Sequence, residues 1–378
     1  MKVDMAKLKE FKSDSAMGLR GIKAVNTALC SLSVESMKLC YLGYPLEQLA
    51  RYSTFEEVSY LLINGELPTR DELSNWTQQL IDDRTLPEMV KGGLERMSGS
   101  TDPMSVLRTA VSLLGNEEPE QKIDGKAAAV RLLGILPAML GYLNSQKKRD
   151  RIDSDEKTLA GYLLHAVRGI RPTGMERDMM NCSLILYAEH ELAASTFAAR
   201  VCASTLSDLH SCILCGIGTL AGPLHGGANE AALELLCRFS DPEEARSGVL
   251  RMLENKERVM GFGHAVYKES DPRSPIIREW AHKLCTEKKD MRLFEIAEAI
   301  EHVMWNERRL FSNLDYYTAV AYSVSGIPKS LFTPIFVVSR CAGWCAHVLE
   351  QRADNKLVRP IANYVGTEER EYIPIEKR

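Results

Sequence analysis

Apolar residues recur at three- and four-residue spacing along most of the chain. Residues 55–62 and 296–304 are two clear runs, in each of which one helical face is apolar and the other polar. Strict alternation of apolar and polar residues, which is typical of strands, is rare. Residues 18–33 and 361–373 are the two candidates, each for a short hairpin. The pattern therefore predicts a mainly α fold.

One apolar helical stripe contains a charge. The stripe has four-residue spacing and consists of Phe332, Phe336, Arg340, Trp344 and Val348. Arg340 is therefore expected to face the interior, where a guanidinium is costly unless a carboxylate reaches it. Two alternatives are open: an internal Asp or Glu, or the carboxylate of a bound ligand.

Small residues are concentrated between residues 188 and 221. They allow helices to approach closely, which fits a helix buried against another helix or a second subunit, and fits a plain core helix equally well. The chain has no internal repeat and no Pro/Gly/Ser-rich linker. A division into domains must therefore come from the fold.

Composition and charge exclude several classes of protein. The 378 residues are 45% apolar and 26% charged, and the formal net charge is −4, so nucleic acid and membrane surfaces are poor partners. No stretch reaches the roughly 20 uncharged apolar residues of a membrane span. Ten scattered cysteines and an N-terminus without an apolar signal segment predict a reducing cytoplasm. We interpret Cys212 and Cys215, spaced as CxxC, as core residues and expect no metal site.

The first candidate site is the loop Gly-Pro-Leu-His-Gly-Gly-Ala-Asn-Glu around His225. Proline and glycines disfavour helix here, so the imidazole is expected at or just before a helix N-terminus. The helix dipole there disfavours imidazolium, and a neutral imidazole can donate a hydrogen bond to a carbonyl oxygen. Taken alone, this signal is weak, and the alternative is a structural histidine.

The second candidate is the segment Gly-Phe-Gly-His-Ala-Val-Tyr around His264, followed by Asp-Pro-Arg ending at Arg273. Its glycines let backbone N–H groups approach a ligand, and His264 could polarise or protonate an oxygen. Lys256, Arg258 and Lys268 make the surroundings basic, which suits an anionic ligand. The alternative is a turn with an incidental histidine.

The third candidate is Asp315, in Ser-Asn-Leu-Asp-Tyr-Tyr just before an apolar helical run. An Asp in this position is commonly a helix N-cap, and that alternative stays open. Tyr187 and His190 stand three residues apart, which predicts that they share one helix face.

Together these motifs resemble the citrate synthase family over nearly the whole chain. The residues that carry the resemblance are, in order, GPLHGGANE, GFGHAVY followed by DPR, NLD, SRCAGW and VRP. The resemblance implies a mainly α, homodimeric fold with two domains. The large domain would comprise residues 1–221 and 332–378, and the mobile small domain residues 222–331.

By the same resemblance, three residues perform the chemistry. His225 is similar to the histidine that holds the thioester oxygen, Asp315 to the base that removes the α-proton, and His264 to the histidine that hydrogen-bonds the oxaloacetate ketone. An α-thioester proton is weakly acidic, so a base needs a donor that stabilises the developing enolate.

Two further sets of residues are implied to bind substrates. Oxaloacetate would be held by His190, Arg273 and Arg340, with Arg359 reaching the site of the partner subunit. The CoA phosphates would lie near Lys268. The backbone of the preceding segment would surround the CoA adenine, and the residues of this segment are Lys256, Glu257, Arg258, Val259, Met260, Gly261 and Gly263. The family has no permanently bound cofactor, since the CoA thioester is a co-substrate.

Tyr187 and Leu314 bear on the acyl group. Citrate synthases usually have histidine and valine at these positions, whereas 2-methylcitrate synthases resemble this chain. The implied reaction is condensation of propionyl-CoA with oxaloacetate and water, in propionate catabolism, with side activity on acetyl-CoA. The alternatives are a citrate synthase that uses acetyl-CoA and a catalytically silent CoA-binding scaffold. The chain departs from the family at Leu42, where an arginine is usual.

Overall fold

The computed structural model describes residues 17–19, 21–33, 38–97, 101–120, 124–144 and 154–378. In these ranges sixteen α-helices account for most of the chain, which confirms the mainly α prediction. The helices are α1 Leu46–Tyr52, α2 Phe55–Asn64, α3 Arg70–Asp82, α4 Glu88–Glu95, α5 Pro103–Glu117, α6 Gly125–Asn144, α7 Leu159–Arg168, α8 Gly174–Tyr187, α9 Ala194–Ala203, α10 Leu209–Leu220, α11 Ala228–Leu236, α12 Pro242–Glu254, α13 Ser274–Lys288, α14 Arg292–Arg308, α15 Leu314–Val324 and α16 Phe332–Ala353.

A small antiparallel sheet precedes the helices. Its strands are β1 Cys30–Ser33, β2 Lys38–Tyr41 and β3 Tyr44–Pro45, with Cys30 opposite Tyr41 and Tyr41 opposite Tyr44. Of the hairpin predicted over residues 18–33, only β1 falls inside that range. The hairpin predicted over residues 361–373 is wrong, because this stretch forms no strand and its apolar side chains are exposed rather than paired.

Helix α16 lies at the centre of the core. It packs against α2, α6, α8, α9 and α10, and the five residues of its predicted stripe are all buried. The stretch Lys329–Ala353 is long and apolar enough to cross a bilayer, but it is buried within the protein, as a core helix is. The predicted inward stripe, including Arg340, is confirmed.

Glycines allow α16 to approach its neighbours closely. A Cβ at Gly216 on α10 would lie 2.9 Å from the Trp344 ring, and one at Gly343 would meet the carbonyl oxygen of Ala188. Gly216, in the stretch of small residues between 188 and 221, therefore serves a contact between two helices of this chain. Cys212 is buried in α10, as predicted, but the core interpretation is wrong for Cys215, which is exposed because it lies on the outer face of the same helix. All ten cysteines are free thiols.

The chain forms two compact units. One contains Met1–Asn26 and Leu357–Arg378, whose described part has short 3-10 turns at Met17–Leu19 and Ile375–Lys377. The other, Thr27–Lys356, contains the sheet and every helix named above. The division at residues 221 and 331 stays a prediction.

Candidate active site

Six of the predicted site residues are brought together by five helices of the larger unit. His190 follows α8, His225 precedes α11, His264 and Arg273 precede α13, Asp315 lies in the first turn of α15, and Arg340 is in the middle of α16. The ring centroids of His190 and His264 are 5.0 Å apart, and the ring of Phe336 lies 4.5 Å from that of Tyr187 and 6.3 Å from that of His225. These residues form one cluster.

His225 lies in the turn that leads into α11, as predicted. Its Nε2 accepts the backbone N–H of Ser195 at 3.3 Å and lies 2.8 Å from the Ser195 hydroxyl, which accepts a hydrogen bond from Trp344 Nε1 at 3.3 Å. Since a backbone N–H only donates, Nε2 is an acceptor and the ring hydrogen is on Nδ1. Burial, with a smaller contribution from Arg340, lowers the pKa of His225 to about 4. His225 is therefore a neutral donor at pH 7.

The tautomer of His264 is also defined by backbone hydrogen bonds. Its Nδ1 accepts the backbone N–H groups of Val266 at 3.1 Å and Tyr267 at 3.3 Å, so its hydrogen is on Nε2. Burial and then Arg273 lower the pKa of His264 to about 4. Burial and Arg273 also lower the pKa of His190, whose Nε2 lies 3.0 Å from the Tyr267 hydroxyl. The site thus contains three neutral histidines.

The prediction that Tyr187 and His190 share a helix face is wrong. Helix α8 ends at Tyr187, and His190 lies in the loop that follows. The hydroxyl of Tyr41 meets the carbonyl oxygens of Ile185 at 3.1 Å and Glu189 at 2.9 Å, and Glu191 has φ 52°, outside the helical region. The chain therefore turns away from α8 and carries His190 towards His264.

Arg340 has no carboxylate partner among the described residues. Its Nε donates to the carbonyl oxygen of Tyr187 at 2.6 Å, its guanidinium lies 4.7 Å from the centroid of the Phe336 ring, and its Nη1 has no hydrogen-bond partner. The residue is only 1% exposed, and burial lowers the pKa of Arg340 although Glu189 acts against this. This favours a ligand carboxylate over an internal one.

Arg273 does have an internal partner. Its Nε and Nη2 donate to the two carboxylate oxygens of Asp271 at 2.9 and 2.8 Å. Burial alone would raise the pKa of Asp271, but Arg273 outweighs it and the pKa is lowered. Asp271 Oδ2 also accepts the N–H of Leu314 at 3.1 Å, at the start of α15. Of the three guanidinium nitrogens of Arg273, Nη1 is the one that does not take part in this pair.

Asp315 is not the cap of its helix. The N-cap of α15 is Asn313, and Asp315 lies inside the first turn, where its Oδ1 accepts the hydroxyl of Tyr187 at 2.6 Å. Burial raises the pKa of Asp315, and Tyr187, Arg273 and Arg340 partly oppose the rise. A carboxylate with increased proton affinity is suited to act as a base.

The loop of His264 and the loop of Asp315 run side by side. Gly263 N–H donates to Phe311 O at 2.8 Å, and Asn313 N–H donates to Gly261 O at 3.0 Å. Gly261 has φ 88° and a Cβ there would lie 2.5 Å from the Tyr316 ring, so this position requires glycine. Of the predicted CoA-binding residues in and after this segment, Lys256, Glu257, Arg258 and Lys268 are exposed, and Val259 and Gly261 are buried.

The remaining predicted residues lie as follows. Leu314 is buried at the first position of α15, and Arg359 is exposed in the smaller unit. Leu42 lies in the turn between β2 and β3 with φ 47°. Two functional partners were missed from the sequence: Ser195, which contacts His225, and Trp344, which contacts Ser195. Nothing in the local pattern marks Ser195, since its contact joins the first turn of α9 to a loop 30 residues further along the chain.

The arrangement combines a base, two neutral donors and cationic groups. Asp315 can take a proton, His225 Nδ1 and His264 Nε2 can each donate to an oxygen, and Arg340 can bind a carboxylate. Among the described residues no group of three or more His, Cys, Asp or Glu side chains could hold a metal ion. The geometry is suited to proton abstraction beside a carbonyl.

Comparison with known proteins agrees with this chemistry. The profile of a family described as "Citrate synthase, C-terminal domain" matches residues 18–361. The chain is 46% identical to the 2-methylcitrate synthase of Shewanella oneidensis over 98% of this chain and 100% of that protein. It is 38% identical to citrate synthase 2 of Bacillus subtilis over 96% of this chain and 98% of that protein. The solved ternary complex of carboxymethyl coenzyme A and oxaloacetate with citrate synthase from the thermophilic archaeon Thermoplasma acidophilum has a TM-score of 0.90 and 32% identity, and the match covers 97% of this chain and 100% of that one.

Proposed function

Because this chain belongs to the citrate synthase family, we propose that it condenses propionyl-CoA with oxaloacetate and water to give 2-methylcitrate and CoA. The observation that carries the proposal is Asp315, a carboxylate with raised pKa. It lies in one cluster with neutral histidines and with Arg340, for which the described residues provide no carboxylate partner. The choice of propionyl-CoA is supported by the 46% identity to a 2-methylcitrate synthase and by Tyr187 and Leu314.

The first step is enolisation of the thioester. Asp315 removes a proton from the α-carbon, and Nδ1–H of His225 donates to the thioester oxygen, on which negative charge develops. Because Ser195 occupies Nε2, His225 presents its hydrogen without changing tautomer. Donation by a neutral, partly buried imidazole stabilises the enolate more than donation by water does.

The second step joins the two substrates. The enolate carbon attacks the ketone carbon of oxaloacetate, and Nε2–H of His264 hydrogen-bonds the ketone oxygen as negative charge develops on it. A proton from water then completes the hydroxyl. His190, Arg273 and Arg340 bind the dicarboxylate, for which fork-shaped guanidinium groups are well suited. Water then cleaves the thioester, and CoA leaves as the thiol.

Further parts of the proposal concern CoA and assembly. The exposed basic side chains of Lys256, Arg258 and Lys268 would meet the CoA phosphates, and the backbone of the segment that ends at the half-buried Gly263 would meet the adenine. The enzyme would act in the cytoplasm as a homodimer in which Arg359 reaches the partner's site. The ten free thiols and the exposed C-terminal stretch containing Arg359 support these two points.

The proposal is tested by following thiol release with oxaloacetate and a panel of acyl-CoAs, with identification of the product acid. We expect kcat/KM to be higher for propionyl-CoA than for acetyl-CoA, with acetyl-CoA still reacting. The two thioesters differ by one methylene, which an apolar pocket distinguishes by about 10- to 200-fold at most. A preference for acetyl-CoA would contradict the 2-methylcitrate assignment and leave the condensation mechanism in place.

The second candidate is a citrate synthase that uses acetyl-CoA. The 38% identity to citrate synthase 2 of B. subtilis is the observation that favours it. The same assay separates the two, because citrate and 2-methylcitrate differ in mass by one methylene. A silent scaffold would release no thiol with any acyl-CoA, and the intact His225, His264 and Asp315 argue against it.

A further inference from the structure

Tyr187 makes a direct contact with the base. Its hydroxyl lies 2.6 Å from Asp315 Oδ1, a short distance typical of a hydrogen bond to an ionised carboxylate. Burial and then the charge of Asp315 raise the pKa of Tyr187 well above its usual value. The phenol therefore keeps its hydrogen at every working pH and is always the donor in this pair.

The position of this hydroxyl is determined by two contacts and by burial. The carbonyl oxygen of Tyr187 accepts Arg340 Nε at 2.6 Å, its ring centroid lies 4.5 Å from that of Phe336, and the residue is only 2% exposed. Tyr187 is also the last residue of α8, whose helical bonds hold the backbone. Little freedom remains for the side chain, so the hydroxyl is aimed at Asp315 before substrate arrives.

We propose that Tyr187 is the positioning residue of the base: its hydroxyl holds Oδ1 of Asp315, favours the ionised carboxylate and leaves Oδ2 to take the substrate proton. This inference rests on the proposed function, because it needs Asp315 to act as the base. It gives the tyrosine a task that does not require contact with the acyl group, so the size of its side chain need not match the size of the acyl chain.

Other charged groups that act on Asp315 come from two elements: Asp271 and Arg273 before α13, and Arg340 on α16. Tyr322, on α15 itself, is an uncharged phenol whose pKa is raised by burial and by Asp315. Two helices packed against α15 also carry carboxylates, and both accept hydrogen bonds from other residues. Glu230 of α11 accepts one from Thr333, and Glu301 of α14 accepts from Ser312 and Tyr317. Within the described residues, the side chain of Asp315 accepts a hydrogen bond from Tyr187 alone. Removing this donor should therefore raise the proton affinity of the carboxylate.

The test is the pH dependence of kcat/KM in Tyr187→Phe, which keeps the ring and its packing on Phe336. Because the base must be ionised, kcat/KM falls at low pH, and loss of the donor makes that fall begin at higher pH. We expect an upward shift of about one pH unit, the size expected when a hydrogen bond to a charged group is lost. The plateau above the shift should fall by about tenfold, since the carboxylate is no longer held in place.

Tyr322→Phe is the matched control. It removes another buried tyrosine hydroxyl, one that lies 2.7 Å from Ser183 Oγ, and leaves the contact between Tyr187 and Asp315 intact. In this variant, the acid limb of the pH profile, where kcat/KM falls at low pH, should coincide with that of the wild type. Calorimetric binding of oxaloacetate checks that both variants are folded, because the Tyr187 carbonyl that holds Arg340 is unchanged. Should Tyr187→Phe be too unstable to assay, Tyr187→His against Tyr187→Leu makes the same comparison, since only the imidazole can donate.

The outcomes separate this inference from the function on which it rests. An upward shift in Tyr187→Phe and none in Tyr322→Phe supports the positioning role. Condensation by the wild type with an unmoved acid limb in Tyr187→Phe overturns this inference alone. Absence of condensation by the wild type with every acyl-CoA overturns both.

Discussion

His225 and His264 are both neutral, and for the same physical reasons. Each accepts backbone N–H groups at one ring nitrogen, so the other nitrogen carries the hydrogen, and burial keeps both rings neutral. Asp315 differs because burial raises its pKa while the Tyr187 hydroxyl keeps it available as an anion. Two neutral donors and one basic carboxylate thus follow from environment and not from residue type.

The amide of Asp315→Asn fills the same space as the carboxylate but cannot take a proton. We expect condensation to fall by roughly 10²-fold or more, the usual effect of removing a general base. Oxaloacetate binding, measured by calorimetry, should be nearly unchanged, and stability should not fall because an uncharged group replaces a partly buried carboxylate. Near-normal turnover would show that another group removes the proton.

Arg340→Leu removes a guanidinium for which the described residues provide no carboxylate. Oxaloacetate should bind about 10- to 100-fold more weakly, as for loss of charge-assisted hydrogen bonds, while CoA binding changes little. The free energy of unfolding should hold or rise, because an unpaired buried charge is replaced by an apolar side chain. Exposed Arg246 on α12, changed to Leu, is the control. An unstable variant whose folded fraction binds oxaloacetate normally would contradict the ligand role.

Among the elements, α8 connects the fold to the site. Thr173 and Glu176 form a capping box at its start, and Glu176 also bonds Arg168 of α7 at 3.0 Å and Lys288 of α13 at 2.7 Å. The far end of the helix carries Tyr187. A rigid start and a defined end determine where the Tyr187 hydroxyl lies, so the capping box contributes indirectly to the geometry of the base.

Glu176→Gln should therefore destabilise the protein by about 3 kcal/mol, as breaking a buried ion pair does. Glu176 is 2% exposed. Although burial alone would raise its pKa, hydrogen bonds from Arg168, Lys288 and Thr173 lower the pKa of Glu176 to about 2. In the wild type this stabilisation is present above pH 4.5 and is lost as pH falls towards 2. The free energy of unfolding of the variant should not show this decrease. Urea denaturation measures both effects. Glu243→Gln, in an exposed pair with Arg246, should change stability by less than about 0.5 kcal/mol.

At the scale of the whole molecule, the buried histidines make stability depend on pH. His225 and His264 have pKa values of about 4 when folded, against 6.5 for an ordinary histidine, and the pKa of His190 is lowered as well. Between pH 6.5 and 4 the unfolded chain therefore binds more protons than the folded one. Asp315 acts in the opposite direction, because its raised pKa lets the folded chain bind a proton first.

The free energy of unfolding should accordingly decrease as pH falls from 6.5 towards 4. Urea titrations at pH 7.5, 6 and 5 measure the slope. The double variant His225→Gln, His264→Gln should show a smaller slope, because two of the three depressed groups are gone. Equal stability at all three pH values would contradict the lowered pKa values of these histidines.

The sequence by itself determined the helical class, the stripe of α16 and the loops that carry His225 and His264, because these depend on spacing within a few residues. The motifs were also sufficient to indicate the family. The hairpin at residues 361–373 was wrong because alternation does not ensure a partner strand, and the shared helix face of Tyr187 and His190 was wrong because Tyr41 and the loop after Tyr187 end α8 there.

Only the tertiary structure decided how those residues are used. It decided which nitrogen of each histidine carries hydrogen, that Arg340 has no carboxylate partner in the described residues, and that Tyr187 bonds a base 128 residues away. The physical reason is that proton affinity and tautomer are set by burial and by the nearest donors and charges. Those neighbours come from distant parts of the chain, so no local pattern of residues specifies them.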